Sequence, residues 1–318
     1  METPSETGRI LVIALGGTIS LELTDNRALA TDNMHSLVSG MGSNLDVCSF
    51  AAKNGSDITL QDIVSIGKLI LEHAGSYSAF IVTTGTDTLE EVAYGLSLLL
   101  DDLTMVVVTG AMRPPFATDF DGIRSLTMAV QVCQKATSGQ ASVVVSIGGS
   151  VIPAWLAHKR STSRLDAFVS TMPDPTDAQA NKRSDLPTSL GMALLKHPAL
   201  PSVDIPIVGF SVGSGLQVAR FAGADGLVVS CPGACSVATE TRAALVRDLL
   251  SIMPVVLTSR CEDSHGDVSA CYPGHFDELE ALGFKVRGYL GLSAEKARIK
   301  LAFEVLSGRN GWAESQNH

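Results

Sequence analysis

Residues 81–91 decide the fold, and they read Ile-Val-Thr-Thr-Gly-Thr-Asp-Thr-Leu-Glu-Glu. A short apolar run leads into several hydroxyl side chains, a glycine breaks the run, and helix-forming residues follow. This order predicts a buried strand that passes through a tight turn into a helix. Asp87 or Thr88 could cap that helix, with Glu90 and Glu91 in its first turn. Taken alone, the stretch is also typical of a capped turn without a function.

A second loop with a hydroxyl group favours a functional turn. Residues 11–20 read Leu-Val-Ile-Ala-Leu-Gly-Gly-Thr-Ile-Ser, an apolar strand followed by two glycines and a threonine. Glycines let the backbone approach a ligand closely and leave amide N–H groups available. The complete G-x-G-x-x-G pattern is absent, because Ile-Ser-Leu follows Thr18. A dinucleotide site is therefore weakly supported.

Apolar runs alternate with helical patterns through the first half of the chain. We predict strands at 10–15, 46–50, 79–83, 105–109 and 142–147, and helices at 34–41, 60–73, 90–100 and 123–135. Unbroken apolar strands between helices indicate a parallel sheet covered on both faces, with ligands beyond the carboxyl ends of its strands. Thr18, Thr86, Asp87 and residues 110–115 all follow such ends. We expect an α/β protein whose N-terminal sheet is mostly parallel and flavodoxin-like or Rossmann-like.

The sequence changes character between residues 171 and 204, where prolines, serines and aspartates accumulate. This composition predicts an irregular linker. We therefore expect an N-terminal catalytic domain at 1–185, a linker at 186–204 and a smaller parallel α/β domain at 205–318. Its strands are predicted at 205–210, 226–230, 253–258 and 284–287, and its helices at 214–222, 238–251, 277–282 and 294–306.

Residues 18–33 are predicted to form a mobile loop.

The composition argues against several classes of function. The net charge is −10, which disfavours both a nucleic-acid surface and binding to anionic membranes. Residues 1–8 lack the cationic and apolar parts of a signal peptide, and no apolar run reaches membrane-spanning length, so we expect a cytoplasmic protein. The six cysteines form no C-x-x-C pair. The spacing of the last four with His265 and His275 fits a zinc site poorly, so ordinary thiols are the simpler interpretation.

The hydroxyl-bearing turns suggest nucleophilic chemistry. A threonine hydroxyl is a poor nucleophile at neutral pH and needs a base or a polarising neighbour. Thr86 stands beside the carboxylate of Asp87, and Lys159 is a candidate base. A lysine desolvated in a pocket has a lowered pKa and can take a proton from a hydroxyl. By periodicity alone, however, Lys159 is most simply a surface charge.

Three motifs together resemble those of the bacterial-type L-asparaginase/glutaminase family. They are Gly-Gly-Thr-Ile at 16–19, Thr-Thr-Gly-Thr-Asp-Thr-Leu-Glu-Glu at 83–91 and Thr-Gly-Ala-Met-Arg-Pro at 109–114. Their order, their spacing and their residue identities all match the family, and the similarity extends through most of the chain. The resemblance implies an amidohydrolase that converts the side-chain amide of L-asparagine, or a related small amide, to the carboxylate and ammonia.

The resemblance also implies a role for individual residues. Thr18 is then the nucleophile, and Thr86, Asp87 and Lys159 form a second catalytic cluster. Lys159 is selected because the family's spacing from its lysine to a following phenylalanine is matched here by Phe168. The implied substrate-binding residues are Gly17, Gly55, Ser56, Asp57, Gly85, Ala111, Met112 and Ser236. Backbone N–H groups of the same turns would meet the oxyanion.

The family further implies a homotetramer built from close dimers, in which the C-terminal domain of one subunit completes its partner's site. Threonine-based amide hydrolysis needs no metal or organic cofactor.

The chain departs from the family's pattern where substrate is held. The family usually has a tyrosine in the loop after the first threonine, whereas residues 18–33 contain none and Glu22 is the nearest ionisable alternative. Gly55 stands where the family has a serine that binds the substrate's α-carboxylate. Ser236 stands where the family has an asparagine. Glu278 is a candidate for the acidic residue of the neighbouring subunit. These departures favour weak asparaginase activity or another amide substrate, and they leave open a small-molecule binding or accessory protein that has lost catalysis.

Overall fold

The computed structural model describes residues 8–24, 27–31, 33–100, 103–136, 142–172, 188–197, 199–214, 216–262, 264, 268 and 271–309. The chain divides into two compact units after Ser170. The strands of the first unit are β1 (Ile10–Gly16), β2 (Leu21–Thr24), β3 (Arg27–Ala30), β4 (Leu45–Lys53), β5 (Ala79–Thr83), β6 (Met105–Thr109), β7 (Ser142–Ile147), β8 (Ser150–Pro153), β9 (Ala157–Lys159) and β10 (Phe168–Ser170). Its helices are α1 (Met34–Val38), α2 (Leu60–His73), α3 (Leu89–Leu100) and α4 (Gly122–Lys135).

A six-stranded sheet with the order β4-β1-β5-β6-β7-β8 forms the centre of the first unit. Every neighbouring pair is parallel except β7 and β8. Among the parallel strands this is the flavodoxin-like order, so the expected α/β class is confirmed. The chain leaves β1 towards β4 on one side and returns to β5 on the other. The crevice beyond the carboxyl ends of β1 and β5 is therefore where this topology places a ligand.

Apolar side chains fix the sheet between its helices. All residues of β1, β5 and β6 are buried, as expected for strands covered on both faces. One face packs Val12, Ile81 and Val107 against Leu126 and Ala129 of α4. Helix α3 has ten buried residues and contacts β6 and β7. This burial makes the strand ends rigid supports for the turns that follow them.

Several predicted elements are confirmed residue for residue, namely β5, β6, β7 and α2. The prediction of a mobile loop at 18–33 was wrong where the structure describes this segment. A 3-10 turn covers Thr18–Ser20, and β2 and β3 form an antiparallel pair. The sequence of β2 and β3 alternates, with apolar residues at Leu21, Leu23, Ala28 and Ala30, but the polar residues between them concealed this pattern. The short strands β8, β9 and β10 were not predicted, because each has only three or four residues.

Thr59 is the N-cap residue of α2. Its hydroxyl accepts a hydrogen bond from Asp62 N, and the Asp62 carboxylate accepts one from Thr59 N, which completes a capping box. Lys53 Nζ also lies 2.8 Å from both carboxylate oxygens of Asp62. Burial alone would raise the pKa of Asp62, but the hydrogen bonds from Lys53 and Thr59 outweigh it and lower the pKa below its usual value.

We expect Asp62→Asn to destabilise the fold at pH 7 by about 1 kcal/mol, the usual contribution of a helix cap. Because the pKa of Asp62 is lower in the folded than in the unfolded protein, the ionised carboxylate stabilises the fold at pH values above the unfolded-state pKa. This stabilisation is lost as the pH falls through the folded-state pKa. The difference between wild type and variant should therefore shrink below about pH 4. Urea unfolding at pH 7 and at pH 3 measures this, with Glu72→Gln at the other end of α2 as the control. An equal difference at both pH values would contradict the assignment.

The second unit has its own parallel sheet, in the order β11-β12-β13. Its core packs Leu227, Val229, Val255 and Leu257 against Leu245. The strands are β11 (Ile207–Gly209), β12 (Leu227–Cys231) and β13 (Val255–Ser259), and the helices are α5 (Thr188–Lys196), α6 (Thr239–Asp248), α7 (His275–Ala281) and α8 (Ala294–Arg309). A bridge from Val256 to Lys285 takes the place of the strand predicted at 284–287. The helix predicted at 214–222 is a 3-10 turn at Val218–Phe221.

The division of the chain differs from the expected linker at 186–204. Helix α5 occupies part of that segment and contacts α8, so it belongs to the second unit. Residues 173–187, where the expected first domain ends, lie outside the described residues. The domain limits 1–185 and 205–318 remain a proposal. No helix in the described part of the chain combines the length and apolar character needed to cross a membrane.

Candidate active site

Three glycines bring three loops together beyond the sheet. A Cβ atom built on Gly17 would lie 2.3 Å from Gly85 N, and one built on Gly85 would lie 2.8 Å from Gly55 N. Backbone therefore packs directly on backbone, which only glycine permits here. Gly17 has φ 83° and ψ −173°, a conformation essentially limited to glycine. The turn after β1, the turn after β5 and the 3-10 turn Gly55–Asp57 meet at this contact.

The glycine contact places the two candidate threonines close in the fold. Thr18 follows Gly17 directly, and Thr86 follows Gly85. Thr18 is half-buried at the start of its 3-10 turn, while Thr86 is 6% exposed. Ser20 closes the first turn, because its backbone N–H donates to Gly17 O at 3.0 Å. Both threonines thus lie in turns that follow the carboxyl ends of β1 and β5.

Lys159 joins this site through its ammonium group. Its Nζ donates to Thr86 Oγ1 at 2.9 Å and to Asp87 Oδ1 at 2.7 Å. The side chain of Lys159 is 13% exposed, whereas that of Asp87 is 81% exposed. Lys159 is therefore not a free surface charge. Two hydrogen bonds therefore connect a buried hydroxyl group, an ammonium group and an exposed carboxylate.

The hairpin of β9 and β10 carries Lys159. Lys159 pairs with Phe168 across the two strands, which are antiparallel. The spacing of these two residues was the sequence signal that selected Lys159, and the hairpin gives it a structural reason. The preceding residue, His158, has its Nδ1 3.2 Å from Glu90 Oε2 at the start of α3. Two consecutive residues of β9 thus contact the Thr86 turn and the start of the helix that follows it.

Thr88 and Gly55 connect the helix start to the glycine contact. Thr88 Oγ1 donates to Gly55 O at 2.7 Å, and the Thr88 carbonyl accepts from Val92 N in the first turn of α3. Gly55 is buried, while Ser56 and Asp57 are exposed. Asp57 accepts a hydrogen bond from Asn54 Nδ2 at 3.0 Å. Of these predicted substrate-binding residues, Gly55 contacts the site backbone.

Asp121 organises the turn after β6. Its two carboxylate oxygens accept hydrogen bonds from Met112 N at 3.1 Å and Arg113 N at 2.9 Å. Ala111 and Met112 are both buried in this turn. Gly110 adjoins the site, because a Cβ atom built on it would lie 2.6 Å from Thr84 O. The sequence predicted the helix at 123–135 that follows Asp121, and the role of Asp121 in the loop was missed because its partners are backbone groups.

The remaining candidates lie in other parts of the molecule. Glu22 is exposed on β2, opposite Leu29. Ser236 is exposed in the second unit, in the turn after β12, and its N–H donates to Pro232 O. Glu278 on α7 accepts a hydrogen bond from Arg242 Nη1 at 2.9 Å. It remains a proposal that Glu22 takes the place of the loop tyrosine and that Ser236 and Glu278 act with a neighbouring subunit.

The cysteines of the second unit differ in exposure. Cys231 and Cys235 are buried, while Cys261 and Cys271 are exposed. Burial raises the pKa of the Cys235 thiol to about 12. Within the residues that the structure describes, no group of three or more His, Cys, Asp or Glu side chains could hold a metal ion.

Known proteins are similar to this chain in sequence. A family model described as "Asparaginase, N-terminal" matches residues 9–186. A relative named L-asparaginase from Bacillus licheniformis is 28% identical over 95% of this chain and 97% of its own length. A relative named Probable L-asparaginase 4 from Schizosaccharomyces pombe is 27% identical over 94% of this chain and 86% of its own.

Solved structures give the same result. The crystal structure titled Probable Cytoplasmic L-asparaginase from Campylobacter jejuni matches with a TM-score of 0.73 and 26% identity, covering 94% of this chain and 96% of that one. The thermostable L-asparaginase from Thermococcus kodakarensis has the same fold, with a TM-score of 0.73 at 21% identity over 95% and 94% of the two chains. Fold and relatives together define an α/β amidohydrolase. The chain belongs to the asparaginase family.

Proposed function

We propose that this amidohydrolase hydrolyses the side-chain amide of L-asparagine or of a related small amide, with Thr18 as the nucleophile. The observation that supports the proposal most directly is the contact of Lys159 Nζ with Thr86 Oγ1 and Asp87 Oδ1. A binding protein has no need for a lysine held on a hydroxyl and a carboxylate. The cluster therefore favours catalysis over a small-molecule accessory role.

In the proposed acylation step, Thr18 Oγ attacks the amide carbon and its proton passes to a base. The carbonyl oxygen becomes an oxyanion that accepts hydrogen bonds from backbone N–H groups of the surrounding turns. Collapse of the tetrahedral intermediate breaks the C–N bond. The nitrogen leaves as ammonia with the proton that the hydroxyl lost, and the acyl group stays on Thr18 as an ester.

In the proposed deacylation step, a water molecule attacks the ester carbon. Thr86, Asp87 and Lys159 form a path along which the proton of that water can move, because Thr86 Oγ1 and Asp87 Oδ1 both contact Lys159 Nζ. Cleavage of the ester returns that proton to Thr18 Oγ1. The second proton of the water leaves to solvent as the product is released as the carboxylate, and the four side chains return to their starting state.

We propose that the preferred substrate differs from L-asparagine at the free amino-acid head, which consists of the α-amino and α-carboxyl groups. Gly55 offers no side-chain hydroxyl beside the buried turn, and Ser236 offers only a short one. Loss of a hydrogen bond to a charged group costs about 1.5–3 kcal/mol, which is tenfold or more in affinity. We therefore expect a raised Michaelis constant for L-asparagine compared with amides that lack a free amino-acid head.

The test is ammonia release from a panel of amides that includes L-asparagine, L-glutamine and amides without an α-amino or α-carboxyl group. Wild type should release ammonia from at least one of them, and Thr18→Val should lower kcat by about a thousandfold or more, because the nucleophile is lost. Thr127→Val, on the exposed face of α4, is the control. A low-micromolar Michaelis constant for L-asparagine would contradict the altered head group. No turnover of any amide, combined with stabilisation by one of them, would favour the binding role.

We further propose a homotetramer of close dimers in the cytoplasm, with each site completed by a neighbouring subunit. The Campylobacter jejuni relative is titled cytoplasmic, whereas a Haemophilus influenzae relative is named periplasmic. Light scattering of the purified protein measures the assembly.

A further inference from the structure

The position of Lys159 depends on a hairpin outside the main sheet. Strand β9 has three residues and pairs with β10, and the two form a separate two-stranded sheet. The ammonium group of a lysine stands at the end of a flexible four-carbon chain. The place of β9 sets where this chain begins, and a shift of the strand larger than the side chain can follow would separate Lys159 Nζ from both of its partners.

A second link connects β9 to the segment that holds these partners. His158 Nδ1 lies 3.2 Å from Glu90 Oε2, and Glu90 is three residues after Asp87. A carboxylate only accepts, so the hydrogen bond requires the proton on Nδ1. Two consecutive residues of β9 therefore bind the two ends of the segment 87–90.

This link is better shielded from water than an exposed ion pair. The side chain of Glu90 is 13% exposed, and that of His158 is 28% exposed. Exposed pairs contribute little, whereas hydrogen bonds to a charged group gain strength where water is partly excluded. A second restraint on the hairpin comes from its loop, because a Cβ atom built on Gly148 would lie 2.4 Å from Leu165 O. Both contacts restrain the end of the hairpin that carries Lys159, because Lys159 pairs with Phe168 next to the loop that contains Leu165.

We propose that Glu90 and His158 are positioning residues for the reaction. Their hydrogen bond fixes β9 against the start of α3 and so holds Lys159 Nζ on Thr86 Oγ1 and Asp87 Oδ1. The inference rests on the proposed function, because it takes Lys159 as the group that handles the proton. Neither side chain is assigned a contact with substrate. Loss of the bond should therefore lower kcat while the Michaelis constant changes little.

The experiment compares variants that break the bond with variants that keep it. Glu90→Met and His158→Phe remove the hydrogen bond and keep most of the side-chain volume, and we expect each to lower kcat ten- to a hundredfold, as for a small misplacement of a catalytic group. Glu90→Gln keeps an acceptor, and His158→Asn keeps a donor near the Nδ1 position. These two should retain at least about half of the wild-type kcat, since the geometry survives. Glu72→Met, which removes an exposed carboxylate from α2, is the matched control.

The double variant of Glu90→Met with His158→Phe distinguishes a pair from two separate effects. If the pair acts as one unit, the double variant should be no slower than the slower single variant. Multiplied losses in the double variant would overturn the proposal. A lowered melting temperature with unchanged kcat and Michaelis constant per folded enzyme would also overturn it, because the pair would then only stabilise the fold.

The wild type and Lys159→Met are measured in the same series. If Lys159→Met is as active as the wild type, the proposed function of the lysine fails, and the positioning role fails with it. If Lys159→Met is inactive while Glu90→Met and His158→Phe keep full kcat, only the positioning role fails. The two results are therefore separable.

Discussion

Replacing Lys159 by methionine is expected to lower kcat for amide hydrolysis by about a thousandfold, within the range of general acid–base catalysis. Lys159 Nζ is the atom that joins Thr86 Oγ1 to Asp87 Oδ1, at 2.9 and 2.7 Å. Methionine keeps the unbranched shape and removes the charge and the proton carrier. Steady-state ammonia release measures the effect, with Lys135→Met at the exposed end of α4 as the control.

Lys159→Arg separates charge from proton transfer. Arginine keeps the positive charge but does not give up its proton in proteins. If Lys159 acts as an acid and base, the arginine variant should stay within about tenfold of the methionine variant, since both lack a transferable proton. Recovery of wild-type kcat by arginine would mean that Lys159 acts through its charge alone, and it would refute the proton path.

Replacing Gly17 by alanine is expected to cost at least about 3 kcal/mol of folding free energy, from backbone strain and a steric clash together. Its φ of 83° with ψ −173° is essentially restricted to glycine. The added Cβ would lie 2.3 Å from Gly85 N, and that partner is backbone, which cannot rotate away. The turns that carry Thr18 and Thr86 must then separate.

Activity should fall with stability in this variant, because a displacement of about 1 Å in a catalytic site can cost a hundredfold in rate. Chemical unfolding and kcat of the folded fraction measure the two effects. Gly75→Ala is the control, since a Cβ atom there meets nothing within 4 Å. Wild-type kcat in Gly17→Ala would show that close contact between the turns is not needed for catalysis.

The sequence predicts the main parallel strands and their helices well because each strand is a run of mostly apolar residues. A polar residue or glycine directly follows each of strands β5, β6 and β7, so their carboxyl ends are marked in the sequence. The short strands β8, β9 and β10 were missed, because three or four residues show no periodicity. The segment 18–33 was wrongly predicted as a mobile loop for a related reason. Its alternation in β2 and β3 is too short to stand out among polar residues.

The catalytic candidates were found by motif, but their supports were not. Asp121 was not predicted as a support of the site, and the structure shows that its carboxylate accepts hydrogen bonds from the N–H groups of Met112 and Arg113. The bond between Glu90 and His158 joins residues 68 positions apart. No local pattern marks such a contact, because it depends on how the hairpin packs against α3.

By itself, the sequence determined the fold class, the family and the residues Thr18, Thr86, Asp87 and Lys159 as candidates. Short stretches of sequence are enough for these conclusions, because apolar runs specify strands and the residues of a motif specify a family. Only the tertiary structure decided that Lys159 is a partner of the Thr86 turn rather than a surface charge. Its Nζ reaches Thr86 and Asp87 across more than 70 residues of chain, and such a contact exists only once sheet, turn and hairpin have packed together.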